Sequence, residues 1–346
     1  MPEPSLPEWI SAVSQLLFIL IFLALFLGFN QRFQVYMWSR DIKSKLLVLN
    51  SYASEARERA LDFLVKHKAQ EPKRLMGKVM EFFIIEPVTI EPVDIIRRLD
   101  HLINIRQSTF REDFERALPG ADHTIRTRAE TAAEIASALN FIYKYVRHLL
   151  LLGEKTRNWI LIMQLQLAMP LILRIAETYR RALNDFINGV PIGDAAGPLT
   201  VVKLLDFKAE WREVERDTLV GEGEIEGRRV LAIKAKGPGS TVGKPGTATE
   251  SVIRDLVSKG VKPKLLLTID AALKLEGEES GSVAEGVGAA IGDIGPEKIR
   301  FERIASSHVI PLMAIVIKMS MEEAIQGITK KVYEGVERAV EMARSI

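Results

Sequence analysis

The chain has 346 residues, of which 47% are hydrophobic and 27% are charged. This balance is typical of ordered globular proteins and excludes an intrinsically disordered chain, and the length predicts two folded units. The 47 basic and 45 acidic side chains give a net charge of +2 without a long run of one sign, which argues against nucleic acid as a partner. The chain has no cysteine, which excludes disulfides, a thiolate nucleophile and cysteine-ligated metal sites.

A charge-free segment near the N-terminus is long enough to cross a membrane. It runs for 23 residues between Glu8 and Arg32, and a helix that rises about 1.5 Å per residue covers the roughly 30 Å of hydrocarbon in a bilayer. Acidic residues precede the segment and basic residues follow it, which is unlike a cleaved signal peptide and places the N-terminus outside the cell. We therefore predict that residues 1–31 are a transmembrane signal-anchor in the cell membrane, with the bilayer as partner and the body in the cytoplasm.

The next part of the chain, residues 32–188, has helical periodicity and predicts a bundle-like cytoplasmic domain. Helices are expected at about 40–67, 92–117, 122–152 and 156–188. The last of them contains a charge-free stretch from Asn158 to Leu173, which has only 16 residues and is short for a second membrane span. We interpret this stretch as a buried bundle helix or as a contact between copies of the chain in a homo-oligomer.

A glycine-rich junction, residues 189–206, separates the helices from a C-terminal domain, residues 207–346. Apolar runs bounded by turns predict strands in that domain: WREVERDTLV, GRRVLAIKAK, PKLLLTID, KIRFERIA and IPLMAIVIKM. Helical stretches are expected near 247–259 and 281–291, and from about 321. Ser320 and Glu323 form a predicted capping box at the start of the last helix.

The alternation of strands and helices predicts a partly parallel sheet. In the arrangement that we expect, strands 228–235 and 264–269 are parallel neighbours joined by the helix at 247–259, so that their C-terminal ends share one edge of the sheet. The predicted fold is therefore α + α/β: an N-terminal transmembrane helix, a bundle-like helical domain and a C-terminal α/β domain.

Standard catalytic motifs are absent from the sequence. The loop KGPGSTVGKPG differs from a P-loop because Pro238 replaces the first glycine and Pro245 replaces the hydroxyl residue that binds magnesium. Its glycine spacing is close to a dinucleotide-binding fingerprint, but a lone pattern of this kind is weak. The five histidines lie far apart without an HExxH motif, and there is no G-x-S-x-G elbow, which argues against a histidine-ligated zinc site and a serine hydrolase.

The glycine loop nevertheless has the chemistry of an anion site. It follows a predicted strand and precedes a helix whose start Thr247 and Glu250 would cap, so free backbone N–H groups lie beside polar side chains. The predicted anion-binding residues are Gly237, Gly239, Ser240, Thr241, Gly243 and Lys244. A tight strand-to-helix turn, in which glycine only supplies a positive φ, is the alternative interpretation.

Acidic residues after the strand PKLLLTI are candidates for catalysis or for metal binding. Asp270 and Glu285 are the candidate catalytic residues, and Asp270 with Glu276 is a candidate site for Mg²⁺, which would accompany a phosphate-bearing ligand. The alternative is a solvated acidic loop, which we favour for Glu278 and Glu279. The small-residue string AEGVGAAIGDIG is equally consistent with a helix packed closely on the sheet.

The junction segment GVPIGDAAGPL contains one charged residue, Asp194, between glycines that permit close backbone approach. We predict that the segment packs against the α/β domain and directs Asp194 toward a crevice that holds Lys244 and Asp270. Such a composite site at a domain junction is a common place for ligands. The alternative is that Asp194 caps a following helix at residues 195–205.

Three segments, GVPIGDAAGPL, KGPGSTVGKPG and DAALKLEGE with AEGVGAAIG, carry a resemblance to a family of archaeal proteins known only as a domain of unknown function. The resemblance covers nearly the whole chain, including the N-terminal anchor. It implies an archaeal, membrane-anchored protein, and it transfers no activity and no catalytic roles.

Two functions follow from these observations. In the first, a single-pass anchor presents a cytoplasmic body whose α/β domain binds an anionic small molecule or a nucleotide. In the second, the helices at 40–188 assemble copies of the chain into a scaffold at the membrane without catalysis. The sequence leaves open whether the protein is an enzyme.

Overall fold

The computed structural model describes residues 13–19, 29–83, 85, 94–206, 208–239, 242–291 and 295–346. Of the predicted anchor, residues 13–19 are helical and residues 29–31 begin the next helix, whereas the rest of the anchor lies outside the described residues. The predicted span from Glu8 to Arg32 therefore stays a prediction.

Long helices make up the N-terminal part, and short strands and helices make up the C-terminal part. In chain order the helices of the first part are α1 (Phe29–Lys66), α2 (Pro72–Glu81), α3 (Ile95–Ala117), α4 (His123–Thr156) and α5 (Trp159–Asn188). The elements that follow are α6 (Ala196–Leu204), β1 (Trp211–Glu215), β2 (Thr218–Ile225), β3 (Arg228–Ala235), α7 (Pro245–Ser258), β4 (Leu266–Leu273), β5 (Val283–Val287), α8 (Pro296–His308), β6 (Leu312–Met319), α9 (Met321–Ile325) and α10 (Lys330–Ser345).

The chain divides into two compact units. The first contains Met1–Ser54 and Leu139–Ala176, and the second contains Glu55–Ala138 and Glu177–Ile346. The first unit is helical and has its own core, in which Ile42, Leu49 and Leu150 are almost fully buried. Helices α1, α4 and α5 contribute residues to both units, and the second unit also contains both sheets and the other helices.

Helix α5 is more exposed in its apolar part than the sequence predicted. It is long and apolar enough to cross a membrane by length and composition, and it is the one helix in the described part of the chain that is so. Only 22% of its most apolar 18-residue window is buried. One face of the stretch is buried, at Ile162, Leu165 and Met169, so the helix packs as a bundle helix on that face only. A contact of its exposed face with another surface stays a prediction.

The strands form two separate three-stranded sheets. In the first, β1, β2 and β3 are consecutive antiparallel neighbours. In the second, the order is β4-β6-β5, with β4 parallel and β5 antiparallel to β6. A C-terminal domain with a mixed sheet is thus confirmed, but the expected parallel pairing of strands 228–235 and 264–269 is wrong because β3 and β4 belong to different sheets.

Helices α6 and α10 pack on one face of the second sheet. There β6 presents Ile315, Ile317 and Met319, which are fully buried. At the start of β4, Leu266 packs against a smaller apolar cluster that includes Ile253 of α7 and Ile304 of α8.

Three local predictions in the C-terminal domain have different outcomes. The stretch near 281–291 is not a helix but contains β5, and KIRFERIA is not a strand but lies within α8. The capping box of Ser320 and Glu323 is confirmed, although the helix that it caps ends at Ile325 and α10 then begins with its own cap, Thr329.

Candidate functional site

A cavity of about 500 Å³ lies within the second unit, between α3, α4, α5 and the turn that joins β1 to β2. We call it the arginine cavity, after Arg106, Arg111 and Arg216 in its wall. The other lining residues are Gln107, Phe110, Glu130, Thr131, Glu134, Ile135, Ala138, Tyr179, Ala182, Phe186, Asp217, Val242 and Ile325. This volume is in the range of small-molecule binding sites.

Helical periodicity explains which side chains reach the cavity. On α3, Phe110 lies four residues after Arg106, and Arg111 follows Phe110 directly. On α4, Glu130 and Glu134 lie one turn apart. Residues three or four apart share one face of a helix, so each helix presents a single stripe to the cavity. The stripes combine charged groups with aromatic and aliphatic wall residues.

The turn between β1 and β2 supplies the third side of the cavity. Arg216 and Asp217 form a two-residue loop, because the strand register continues from Glu215 directly to Thr218. Asp217 has a positive φ of 55°, a conformation that aspartate tolerates better than most residues. Its backbone N–H donates to Glu213 Oε1 at 3.1 Å, which helps to hold the turn.

Two of the three arginines in the cavity have a carboxylate partner. Arg106 lies 3.6 Å from Glu134, and Arg111 pairs with Asp217, whose side chain is only 6% exposed. Because the Asp217 carboxylate is buried, its pairing with Arg111 is required to avoid an uncompensated charge.

Arg216 is held differently. Its Nη2 donates to the backbone carbonyl of Gln107 at 3.0 Å, and within the described residues no carboxylate lies at ion-pair distance from it. Desolvation by burial and the nearby Arg111 guanidinium hold the pKa of Arg216 below its ordinary value. The cavity therefore contains a half-buried cation whose charge is not neutralised by direct contact.

Glu130 is an acidic residue of the same cavity, and like Arg216 it has no partner of opposite charge at ion-pair distance among the described residues. It makes no hydrogen bond or ion pair within the part of the chain that the structure describes. Burial raises the pKa of its carboxyl to about 7, against the opposing attraction of Arg111. A carboxyl with a perturbed pKa in a cavity is a candidate functional group, because it is both protonated and ionised near neutral pH.

The glycine loop borders this cavity through Val242. Gly237, Gly239 and Gly243 all have positive φ, of 55°, 126° and 74°. A Cβ at Gly239 would overlap the Thr127 side chain, and one at Gly243 would overlap Thr218 Oγ1. These contacts are those of a tightly packed turn. The predicted ligands Ser240 and Thr241 lie outside the described residues.

Lys244 is engaged within the protein. Its backbone N–H donates to Thr218 Oγ1 at 2.6 Å, and its ammonium lies 3.8 Å from Asp100 Oδ1. The same carboxylate accepts from Arg300 at 3.2 Å. Lys244 thus joins α7 to α3 and does not reach the wall of the arginine cavity.

The start of α7 holds a carboxylate of the protein itself. The backbone N–H and the hydroxyl of Thr247 both donate to Glu297, each at 2.9 Å. The predicted capping box of Thr247 and Glu250 is therefore wrong: Lys244 is the N-cap residue, and Glu250 pairs with Arg300. An external anion at this helix start would compete with Glu297 for these donors, and the anion site predicted in the glycine loop stays a prediction.

The two candidate catalytic acids, Asp270 and Glu285, do not converge. Asp270 pairs with Val316, and Glu285 pairs with Ile315. Because successive residues of β6 face opposite sides of the sheet, Asp270 and Glu285 also lie on opposite faces. Glu276 is exposed in the turn after β4. Among the residues that the structure describes, no group of three or more His, Asp or Glu side chains could hold a metal ion.

Asp270 and Lys244 do not share the edge that the sequence predicted. The expected crevice required β3 and β4 to be neighbours in one sheet, and they are not. Asp270 accepts a hydrogen bond from the N–H of Ala271 at 2.8 Å. The predicted shared edge is therefore wrong, and the combination of these two residues in one site stays a prediction.

The junction segment packs on the C-terminal domain, as predicted, since Gly197 lies directly against the backbone of Ile269 and Asp270. Asp194 lies in a 3₁₀ turn before α6 and does not line the arginine cavity. It does not cap α6 either, because the N-cap residue is Ala195 and the structure gives no side-chain cap there. Asp194 is exposed as a residue, and desolvation of its carboxyl raises its pKa.

Sequence analysis alone missed the residues of the arginine cavity. Arg106 and Arg111 resemble the solvent face of an amphipathic helix, and Glu130 with Glu134 has the same appearance on α4. Arg216 and Asp217 lie inside WREVERDTLV, which was interpreted as one apolar run. The one available signal was the charged pair in the middle of that run, since such a pair is typical of a turn.

Two family models match the chain. One is described as protein of unknown function (DUF1512), N-terminal domain, and matches residues 16–189; the other is the domain of unknown function (DUF1512), C-terminal, and matches residues 192–346. No curated protein matches the chain. The border between the two matches falls at the predicted junction, and both matched segments contribute residues to the arginine cavity.

Proposed function

Because the chain belongs to the DUF1512 family, whose two domains are both described as of unknown function, we propose a function from the arginine cavity itself. The protein binds an anionic small molecule in this cavity. The ligand site takes its arginines from α3 and from the first hairpin of the C-terminal domain. The glycine loop contributes a wall residue to the site, and the anion contacts the arginines.

The observation that carries this proposal is Arg216. Its guanidinium lines the cavity, and no carboxylate of the described chain lies at ion-pair distance from it, whereas Arg106 and Arg111 each have one. Burying a charge without a partner is unfavourable, and a bound anion would supply the missing partner. Guanidinium groups bind carboxylate and phosphate through two parallel hydrogen bonds, which suits either anion.

A thermal-shift screen of the full chain in detergent tests the proposal. We expect at least one compound from a panel of inorganic phosphate, nucleotides, sugar phosphates and small carboxylates to raise the unfolding midpoint. The expected rise is on the order of 5 °C at a concentration of 100 times Kd. The Arg216→Gln variant should lose this rise because it lacks the unpaired cation.

Arg212→Gln is the matched control, since Arg212 is an exposed arginine on the adjoining strand β1. It should keep the full shift. Absence of a shift with every compound would contradict the proposal, and so would a shift that persists in Arg216→Gln.

We also propose that the protein is anchored in the cell membrane by residues 1–31, with its body in the cytoplasm. The charge-free segment and the basic residues after it support this orientation. The chain has no cysteine, so single-cysteine variants report topology directly. In intact cells a membrane-impermeant maleimide should label Ser5→Cys, and it should label Ser345→Cys only after lysis. The reverse pattern would contradict this orientation.

A second candidate function is assembly of copies through the first unit. Several large apolar side chains of α5 are exposed there, including Trp159, Ile160, Leu167 and Leu171, of which Leu167 is 73% exposed. Exposed apolar residues clustered on one unit are typical of an interaction surface. This candidate is compatible with ligand binding in the second unit.

Light scattering on the full chain in detergent tests the assembly. We expect a mass of more than one chain after subtraction of the detergent, and we expect Leu167→Lys to reduce it. Leu275→Lys is the matched control, because Leu275 is equally exposed, at 72%, but lies in the second unit. A monomeric wild-type chain would contradict this candidate.

A further inference from the structure

The arginine cavity contains a second unpaired group opposite in charge to the first. Glu130 on α4 and Arg216 in the β1–β2 turn both line it. The two groups interact electrostatically but do not form an ion pair. Both groups line the same cavity without direct contact, so one ligand in the cavity can reach both, with its anion at Arg216 and a hydrogen-bond donor at Glu130.

The size and walls of the cavity indicate an organic ligand. Its volume of about 500 Å³ is far larger than one phosphate or sulfate ion needs. Phe110, Tyr179 and Phe186 supply aromatic surface, which suits a carbon skeleton. An inorganic anion at Arg216 would leave both this surface and Glu130 in contact with water alone.

The charges around Glu130 are balanced. Arg111 and Arg216 act on its carboxyl with positive charge, and Glu134 and Asp217 act on it with negative charge, so the surroundings do not favour a charged donor. A neutral hydroxyl requires no such preference. It can donate to the ionised carboxylate, and it can accept from the protonated form.

From this arrangement we propose that Glu130 recognises a hydroxyl group of the ligand, so that the cavity selects hydroxylated organic anions over the corresponding anions without the hydroxyl. The inference rests on the proposed function, because it assumes that the anionic group of the same ligand is bound at Arg216. It adds the chemical class of the ligand and the residue that determines specificity. The pKa of about 7 for Glu130 is consistent with this role, since either protonation state can bond a hydroxyl.

Matched pairs of compounds test the inference by calorimetry on the full chain in detergent. Malate is compared with succinate, and glycerol 3-phosphate with propyl phosphate, because the members of each pair differ chiefly in their hydroxyl groups. In at least one pair we expect the hydroxylated member to bind at least tenfold more tightly, as for sites built to hydrogen-bond a substrate hydroxyl. In Glu130→Ala this ratio should fall to near one, with the affinity for the unhydroxylated member little changed. Glu130→Gln, which keeps an acceptor oxygen, should keep part of the ratio.

The possible outcomes separate this inference from the proposed function. If both members of a pair bind equally and both depend on Arg216, the inference is overturned and the proposed function stands. The same holds if another anion from the wider screen binds in an Arg216-dependent way while neither hydroxylated probe does. If no anion binds, both are overturned. A tenfold ratio that survives in Glu130→Ala would also overturn the inference.

Discussion

Replacing Arg111 by alanine should lower the free energy of unfolding by about 3 kcal/mol, the lower end of the range for breaking a buried ion pair. The reason is that the carboxylate of Asp217, the partner of Arg111, remains in the variant. Asp217 is 6% exposed and its carboxylate pairs with Arg111, so the variant leaves a buried charge without compensation. Arg111 itself is 27% exposed, which places the effect at the lower end. Chemical denaturation of the full chain in detergent measures the change.

Two variants make this result specific. Arg116→Ala lies on the same helix, but its side chain is 72% exposed, so it should cost no more than about 1 kcal/mol. Asp217→Asn removes the buried charge and keeps a residue type that tolerates positive φ. The double variant Arg111→Ala with Asp217→Asn should therefore recover at least about 1 kcal/mol relative to Arg111→Ala alone. A double variant that is no more stable would mean that lost packing, rather than the uncompensated charge, accounts for the effect.

Replacing Glu130 by glutamine should stabilise the protein at alkaline pH and leave it unchanged in acid. The pKa of this carboxyl is about 7 in the folded protein and 4.5 in its ordinary state, so the folded protein binds the proton more tightly than the unfolded chain. Wild-type stability therefore falls as pH rises from about 4.5 to about 7 and is level above that. Glutamine cannot ionise, so the variant should avoid this loss, which is about 3 kcal/mol at most.

Thermal unfolding midpoints of the two proteins between pH 5 and pH 8 provide the measurement. The midpoints should be closest at pH 5, separate progressively up to about pH 7 and keep that separation to pH 8, with Glu130→Gln the higher. Glu112→Gln, an exposed carboxyl on α3, should follow the wild type at every pH. Parallel curves for wild type and Glu130→Gln would show that Glu130 is not desolvated in the folded protein.

The two expected results concern groups with opposite effects on the stability of the fold. A carboxyl that destabilises the protein when ionised, beside a guanidinium without a carboxylate partner, is the pattern of a site that accepts lower stability for function. The Asp217 pair differs from it, because breaking that pair is costly. The arginine cavity therefore combines one pair that supports the fold with two groups that are available to a ligand.

Local signals in the sequence predicted the parts of the fold that depend on neighbouring residues. Ser320 and Glu323 are three residues apart, and both halves of their capping box form. The predicted helical N-terminal part and the C-terminal domain with a mixed sheet are also confirmed. These features follow from periodicity and from side chains that bond the nearest backbone, and neither requires knowledge of distant contacts.

Predictions failed where the fold depends on which elements pair. KIRFERIA was interpreted as a strand, but Phe301, Ile304 and Ala305 are buried at helical spacing in α8. The strand WREVERDTLV contains a turn at Arg216 and Asp217, so β1 and β2 form a hairpin. Once this hairpin pairs with β3, the first sheet is complete without β4, and the expected edge with Asp270 and Lys244 does not exist.

The candidate site could not be predicted for a related reason. Its residues come from α3, α4, α5 and a hairpin turn, which are remote in sequence. Periodicity identifies the polar face of a helix, but it does not distinguish a polar face in solvent from one that lines a cavity. The anion site was predicted in the glycine loop because the composition of this loop is unusual. In the structure, close packing requires glycine at Gly239 and Gly243.

The location of a bound oxyanion tests the central claim most directly. Crystals of the full chain soaked in tungstate, a tetrahedral oxyanion with a strong anomalous signal, would report where the protein binds such a group. We expect an anomalous peak inside the arginine cavity beside the Arg216 guanidinium, and we expect it to be absent from Arg216→Gln crystals. A cavity without a peak, together with a peak at the start of α7 beside Lys244, would contradict this account and restore the glycine loop as the anion site.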